Sequence, residues 1–200
     1  MARGISRLRR EDLLRVACEV IAAKGFGHTR TVDIAEAAGV SQALLFYHFE
    51  TKEKLFAAAF GYAAERDLDA LTTLIKSAGD PLDKLRAMLR LYSPTGKSKS
   101  WALWIDAWAE SMRNPALEEV SRALDVRWKD ALAGILRSGA EAGVFRCADP
   151  EAAAWRLMSL IDGLTVQVTV HRRMISRARL FDLVRTAAAT ELALDPDLLA

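Results

Sequence analysis

The stretch that most restricts the fold of this chain runs from Thr31 to Thr51, TVDIAEAAGVSQALLFYHFET. Ile34, Ala35 and Ala38 recur at helical spacing and give a short helix one apolar face. Gly39 ends that helix, because the closing residue must be left-handed and glycine takes that conformation without steric cost. Val40 fills the corner, and Ser41 is a good N-cap for a second helix. Leu45 and Phe49, four apart, face back into the core. A small residue at Ala35, Gly39 four later and Leu45 six after that suit a tight helix-turn-helix, because the helices cross closely at Ala35.

Packing then leaves Gln42, Ala43, Phe46, Tyr47 and His48 on the outside of the second helix. A Phe-Tyr-His cluster is costly against plain solvent and useful against DNA. Gln42 sits in the first turn, where a recognition helix meets base edges, and Gln can bond adenine bidentately. Tyr47 and His48 can donate to phosphates. Thr51-Lys52 opens the next helix, so free backbone N–H groups and an ammonium meet at one phosphate-binding N-terminus.

Residues 10–60, and above all TVDIAEAAGVSQALLFYHFETKEKL, resemble the N-terminal domain of the TetR family of bacterial transcriptional regulators. The resemblance implies that Thr31, Gln42, Ala43, Tyr47, His48 and Lys52 face DNA. With Ser41 and Thr51 as the two helix-opening residues, these form the candidate DNA-binding set. Two positions depart from the commonest pattern. Leu44 stands where a small or hydroxyl residue is usual. Phe46 stands where Tyr is frequent, and it has no hydroxyl to offer a phosphate.

The wider chain fits a soluble regulator. Its 200 residues are 52% hydrophobic and 27% charged, enough for a core without loss of solubility. Cys18 and Cys147 are far apart with no metal spacing, which suits a reducing cytoplasm. No secretory apolar segment follows the basic start, and no run of 18 apolar residues occurs. The expectation is a cytoplasmic protein with no membrane partner. Net charge is only +2, but Arg3, Arg7, Arg9 and Arg10 precede the first helix with no acid among them. Such an arm suits minor-groove or phosphate contact, or else is a solvated tail.

Helical periodicity continues throughout, with no period-2 strand pattern. The predicted helices cover 11–24, two short stretches within 31–51, then 52–75, 81–92, 101–112, 115–142, 150–171 and 176–194. Asp80-Pro81, Asn114-Pro115 and Asp149-Pro150 each read as an N-cap followed by proline at the first helical position. The fold class is all-α with about nine helices, the number the TetR resemblance also implies. It divides into a DNA-binding domain at 1–51 and a larger effector-binding and dimerisation domain at 52–200.

All five tryptophans lie in the second half. Trp101, Trp104, Ile105, Trp108 and Met112 share a helical face, Trp128 lies on the next helix, and Trp155, Met158 and Asp162 form a stripe on the one after. Such stripes are commonly core. Five indoles with Asp162, and with Asp106 and Glu110 nearby in sequence, also suit an aromatic cage for an organic cation. Trp104, Trp108, Trp128, Trp155, Met158 and Asp162 are therefore the candidate ligand-binding residues. The Trp-rich helix, the Asn114-Pro-Ala-Leu step and the Gly143-Val-Phe segment are similar to the choline-sensing, Bet-type branch of TetR regulators. That likeness implies choline, betaine aldehyde, a polyamine or another amine as effector. An uncharged hydrophobic ligand, or a protein partner without any effector, remains open from the residues.

Leu157, Leu160, Ile161, Leu164, Val168, Leu180, Leu183, Val184, Ala187 and Leu192 are more apolar residues than one interior face needs. Gly163, Ala187, Ala188 and Ala189 allow close helix approach. The expectation is a homodimer through a four-helix bundle, presenting two recognition helices to a palindromic double-stranded DNA operator. No nucleophile elbow, phosphate loop or zinc motif is present, so neither enzyme activity nor a cofactor is expected.

Overall fold

The computed structural model describes residues 9–77, 79–94, 99–171 and 174–200, with backbone only for Arg66, Lys99 and Ser100. Nine α-helices occur among them: α1 Arg10–Lys24, α2 Thr31–Ala38, α3 Gln42–Phe49, α4 Lys52–Lys76, α5 Pro81–Tyr92, α6 Lys99–Ser111, α7 Pro115–Glu141, α8 Pro150–Val170 and α9 Arg177–Leu192. The described residues contain no strand. A single 3-10 turn, Pro196–Leu199, follows α9 and has no counterpart in the periodicity. None of these helices is long and apolar enough to cross a membrane.

The chain forms two compact units, Met1–Arg66 with Ala102–Ala123, and Asp67–Trp101 with Leu124–Ala200. Helices α4, α6 and α7 contribute residues to both, so the units are not contiguous in sequence.

In the first unit Leu13, Leu14, Ala17 and Ile21 of α1 are buried with Ile34, Ala35, Leu45 and Phe49. Phe26, in the turn after α1, is fully buried. Its ring meets Phe56 edge-on at 5.5 Å and Phe60 at 6.4 Å between centroids. Each fully buried ring stabilises by about 1.5–3 kcal/mol, and favourable edge-to-face pairing adds to that. Gly39 is left-handed at φ 66°, and the Val40 N–H closes α2 on the Ala35 carbonyl at 3.0 Å. Residues 1–8 are outside the described set, and with them Arg3 and Arg7 of the basic arm. Arg10 is described, with its guanidinium 5.0 Å from the Phe49 ring centroid.

In the second unit the Asp-Pro starts form as the residues require. Asp80 accepts the Asp83 N–H and Asp149 accepts the Ala152 N–H, each at 2.9 Å. Helix α8 buries Ala153, Ala154, Leu157, Met158, Ile161 and Thr165, and α9 buries Leu180, Val184, Ala188, Ala189 and Leu192. Arg156, which interrupts the apolar run of α8, pairs with Glu191 of α9, its Nε donating at 2.9 Å. Met112, on the predicted Trp-rich face, is 78% exposed, since α6 has already ended at Ser111, and Ile75 near the end of α4 is 42% exposed beside an open concavity.

Gly139 lies where α7 passes the buried Phe145 ring, and a Cβ added there would stand 2.0 Å from that ring's Cζ. Gly139→Ala is therefore expected to lose roughly 1–3 kcal/mol through overpacking, despite the better helix propensity of alanine. Thermal denaturation should show a melting point several degrees lower, and an unchanged melting point would contradict the packing described.

Candidate nucleic-acid interface and effector site

The outer surface of the helix-turn-helix is fixed by local bonding. Asp33 accepts the Arg30 N–H at 2.8 Å and pairs with Lys24 Nζ at 2.9 Å, tying the start of α2 to the end of α1. The Lys24 hydrogen bond, then that from the Arg30 backbone, holds the Asp33 carboxyl down at about 2. Ser41 caps α3, its Oγ accepting the Leu44 N–H at 3.3 Å. Thr51 opens α4 in the same way through Lys54 N–H at 3.2 Å. The first amides of a helix have no partner within it, so α4 begins with donors to spare beside the Lys52 ammonium.

Gln42, Ala43, Phe46 and Tyr47 are exposed, Tyr47 to 81%, and His48 is half-buried. The Thr31 hydroxyl donates to Gln42 Oε1 at 2.9 Å, so the first residues of α2 and α3 meet on this surface. That bond leaves the Gln42 amide NH2 as a free donor pair. Tyr47 and His48 stack edge-on at 5.4 Å, and Lys52 Nζ lies 4.9 Å from the Phe56 ring centroid. The eight candidate DNA-facing residues thus lie at the start of α2, along α3 and at the start of α4.

The candidate ligand residues are divided between the two units. Trp104 and Trp108 belong to the first unit, where Trp104 packs edge-on against Phe60 at 4.8 Å and lies 6.0 Å from Trp108. Asp106 is engaged in that unit too, its Oδ2 accepting the Phe26 N–H at 2.6 Å, and Glu110 pairs with Arg113 at 3.2 Å. Trp155 is 57% exposed, with Lys129 Nζ 4.3 Å from its ring centroid. Helix α6 contributes Trp101 to the second unit and Trp104 and Trp108 to the first.

Within the second unit, Trp128 and Asp162 both contact one further residue, Tyr92. Tyr92, the last residue of α5, donates its hydroxyl to Asp162 Oδ1 at 2.7 Å. Its ring lies 5.3 Å from Trp101 and 5.0 Å from Trp128. Met158, one turn before Asp162 on α8, is buried. Burial pushes the Asp162 carboxyl up to about 6; the Tyr92 hydrogen bond opposes this, the Asp125 carboxylate adds to it and Lys129 opposes it. Burial also pushes the Tyr92 hydroxyl up, helped by the Asp162 charge, so Tyr92 remains a donor. Two buried hydroxyls of the same unit, Ser93 Oγ and Thr165 Oγ1, have no hydrogen-bond partner among the described residues. Thr165 follows Asp162 by three on α8 and so shares its face. Among the described residues no group of three or more His, Cys, Asp or Glu side chains could hold a metal ion.

Residues 13–59 match the family of bacterial regulatory proteins known as tetR, and residues 81–193 match the BetI-type transcriptional repressor C-terminal family. The chain belongs to the TetR family. It is a BetI-type transcriptional regulator rather than an enzyme. The HTH-type transcriptional regulator BetI of Agrobacterium fabrum is 30% identical to it over 202 residues, covering 97% of this chain and 93% of that protein. BetI of Stenotrophomonas maltophilia is 30% identical over 128 residues, covering 62% of this chain, which spans 65% of that relative. A crystal structure of a transcriptional regulator from Saccharomonospora viridis in complex with choline superposes with a TM-score of 0.80 at 28% identity, covering 90% of this chain and 95% of that one.

Because the folded TetR-family chain holds the Asp162 proton more tightly than the unfolded chain does, its stability is expected to fall as pH rises from about 4 to about 6. Asp162→Asn keeps an acceptor for Tyr92 and removes the titration. Denaturant unfolding at pH 4 and pH 8 should show the variant gaining on the wild type at the higher pH. An equal difference at both values would contradict the buried, proton-retaining carboxyl.

Proposed function

We propose that this TetR-family regulator is a homodimeric repressor that leaves a palindromic operator when a small organic cation of the choline class binds it. The observation that carries the reading is the Tyr92 hydroxyl, ringed by Trp101 and Trp128, on the half-buried carboxylate of Asp162. Aromatic faces attract a quaternary ammonium through their quadrupoles, and a desolvated carboxylate supplies the counter-charge. The choline complex of the Saccharomonospora viridis regulator supports the same ligand class here. Met158 closes the site as an apolar contact, and the free hydroxyls of Ser93 and Thr165 offer bonds to a ligand hydroxyl.

Residues 1–51 serve as the DNA-binding part and 52–200 as the effector and dimer part, in a cytoplasmic protein. Thr31, Ser41, Gln42, Ala43, Tyr47, His48, Thr51 and Lys52 form the DNA contact, with Gln42 at base edges and Tyr47, His48 and Lys52 at phosphates. A dimer is supported by the apolar residues that α8 and α9 leave half-buried: Leu160, Leu164, Val168, Leu183 and Ala187. The effector acts by preferring the arrangement of the dimer that fits DNA less well, a coupling typically worth about 1–3 kcal/mol.

A mobility shift on the gene's own upstream DNA, with excess nonspecific DNA and with choline, betaine aldehyde or spermidine added, tests this directly. The expected result is a specific shift released by one of these cations. A shift that none releases would overturn the cationic effector and leave the repressor. Tyr47→Ala with Lys52→Ala should abolish the shift while the dimer stays folded, and normal binding by that double variant would refute the orientation of α3.

Cation affinity should carry the proton linkage of Asp162. It should rise as pH increases through about 6, where the carboxylate ionises, and lose up to roughly tenfold per pH unit below it. Calorimetric titration with choline at pH 5 and pH 8 reads this out, and a flat profile would remove Asp162 from the site.

A further inference from the structure

The second unit contains a concavity that shares no residue with the Tyr92–Asp162 cluster. It has a volume of about 610 Å³ and is walled by the end of α4, the start of α5 and the middle of α7. That lies within the range of small-molecule sites, roughly 300–1,000 Å³. Its inner wall is apolar and well packed from behind: Leu68, Leu71 and Ile135 are each at most 5% exposed. Ile75, which helical periodicity assigns to the core, lines the same space while remaining 42% exposed.

Two cations and one acid stand among the lining residues, Lys84, Arg127 and Asp130. Lys84 Nζ donates to the Ile75 carbonyl at 3.0 Å, which fixes its ammonium at the end of α4. An ammonium has three donors, so two remain. The Arg127 guanidinium adds a planar fork suited to a carboxylate. An aliphatic wall with an excess of one positive charge is complementary to a ligand that has an apolar tail and an anionic head.

A separate observation indicates that the space is kept open. Gly134 lies inside α7, where glycine costs about 1 kcal/mol relative to alanine. A Cβ built on Gly134 would meet no heavy atom within 4 Å. No neighbour requires a glycine at this position, in contrast to Gly139, where the Phe145 ring does. What its missing side chain preserves is the volume of the concavity that it lines.

We propose that this concavity is a second small-molecule site, for an amphipathic organic anion: a straight-chain fatty carboxylate whose tail lies on Leu68, Leu71, Ile75 and Ile135 and whose head meets Arg127 and Lys84. The site is separate from the cation site and stands whether or not choline is the effector.

Calorimetric titration of the full chain with sodium dodecanoate below its micellar range, beside methyl dodecanoate as the neutral head, tests the proposal. The expected result is saturable binding of one dodecanoate per chain, with the neutral ester weaker by at least roughly tenfold, the ratio of one lost charge-assisted bond. Arg127→Ser alters an exposed side chain and should weaken dodecanoate by a similar factor. Gly134→Leu should fill the space and abolish binding, with circular dichroism reporting that the helical fold is intact. Absence of saturable dodecanoate binding, equal binding of acid and ester, or wild-type binding in either variant would overturn the proposal. A choline titration of Gly134→Leu should match the wild type, which separates failure of this site from failure of the cation site.

Discussion

The surface offered by the helix-turn-helix depends on the burial of one ring. Phe26 sits in the turn between α1 and α2, and without its contact to Phe56 and Phe60 that turn would have no fixed relation to α4. The backbone at this point is held as well, because the Phe26 N–H is bound by the Asp106 carboxylate of α6. A buried amide left unpaired would cost about 1–3 kcal/mol, so this bond is a condition for burying the ring rather than an addition to it. The candidate DNA-facing surface is built outward from there: Asp33 ties α2 to α1, Gly39 turns the chain, and Leu45 and Phe49 seat α3. The Thr31–Gln42 hydrogen bond then restricts a long side chain before any ligand arrives, where a free Gln would have up to about 1.5–2 kcal/mol of rotamer entropy to lose.

Much of this was legible in the sequence because its causes are local. Gly39, Ser41 and the three Asp-Pro or Asn-Pro starts act through residues three or four positions away, and each forms the cap its spacing implies. The exposed positions of α3 follow by subtraction, since a short helix with Leu45 and Phe49 inward has only one other side to present. What was not legible depends on contacts distant in sequence. The stripe Trp101, Trp104, Trp108 reads as one surface on a helical wheel, yet α6 serves two compact units, Trp101 packing on the Tyr92 ring of one and Trp104 on the Phe60 ring of the other. Asp106, placed by its neighbours in an aromatic cage, instead holds a backbone amide 80 residues away in the chain. Tyr92 lies 70 residues from Asp162 in the chain, and nothing local announces that the two will meet. Trp155 could be placed only once Lys129 was seen over its ring.

The second unit shows how the same apolar pattern serves opposite ends. Gly139 is required by contact with Phe145, whereas Gly134, five residues earlier on the same helix, adjoins empty space. The composition of α7 does not separate these cases; only the neighbour of the missing Cβ does. Ile75 makes the same point from the other side, as an apolar residue with helical spacing that lines a concavity instead of closing it.

The hydrogen bond from Tyr92 to Asp162 bears on discrimination among ions. Small hard cations such as sodium or magnesium need a shell of about six oxygens at short range. Beside Asp162 stand indole and phenol rings, and the phenol already occupies part of the carboxylate's bonding capacity. A dehydrated metal ion would exchange a full water shell for one encumbered oxygen pair. A large, weakly hydrated organic cation gives up little water and gains the ring faces. A carboxylate so surrounded therefore sorts cations by hydration strength before it sorts them by shape.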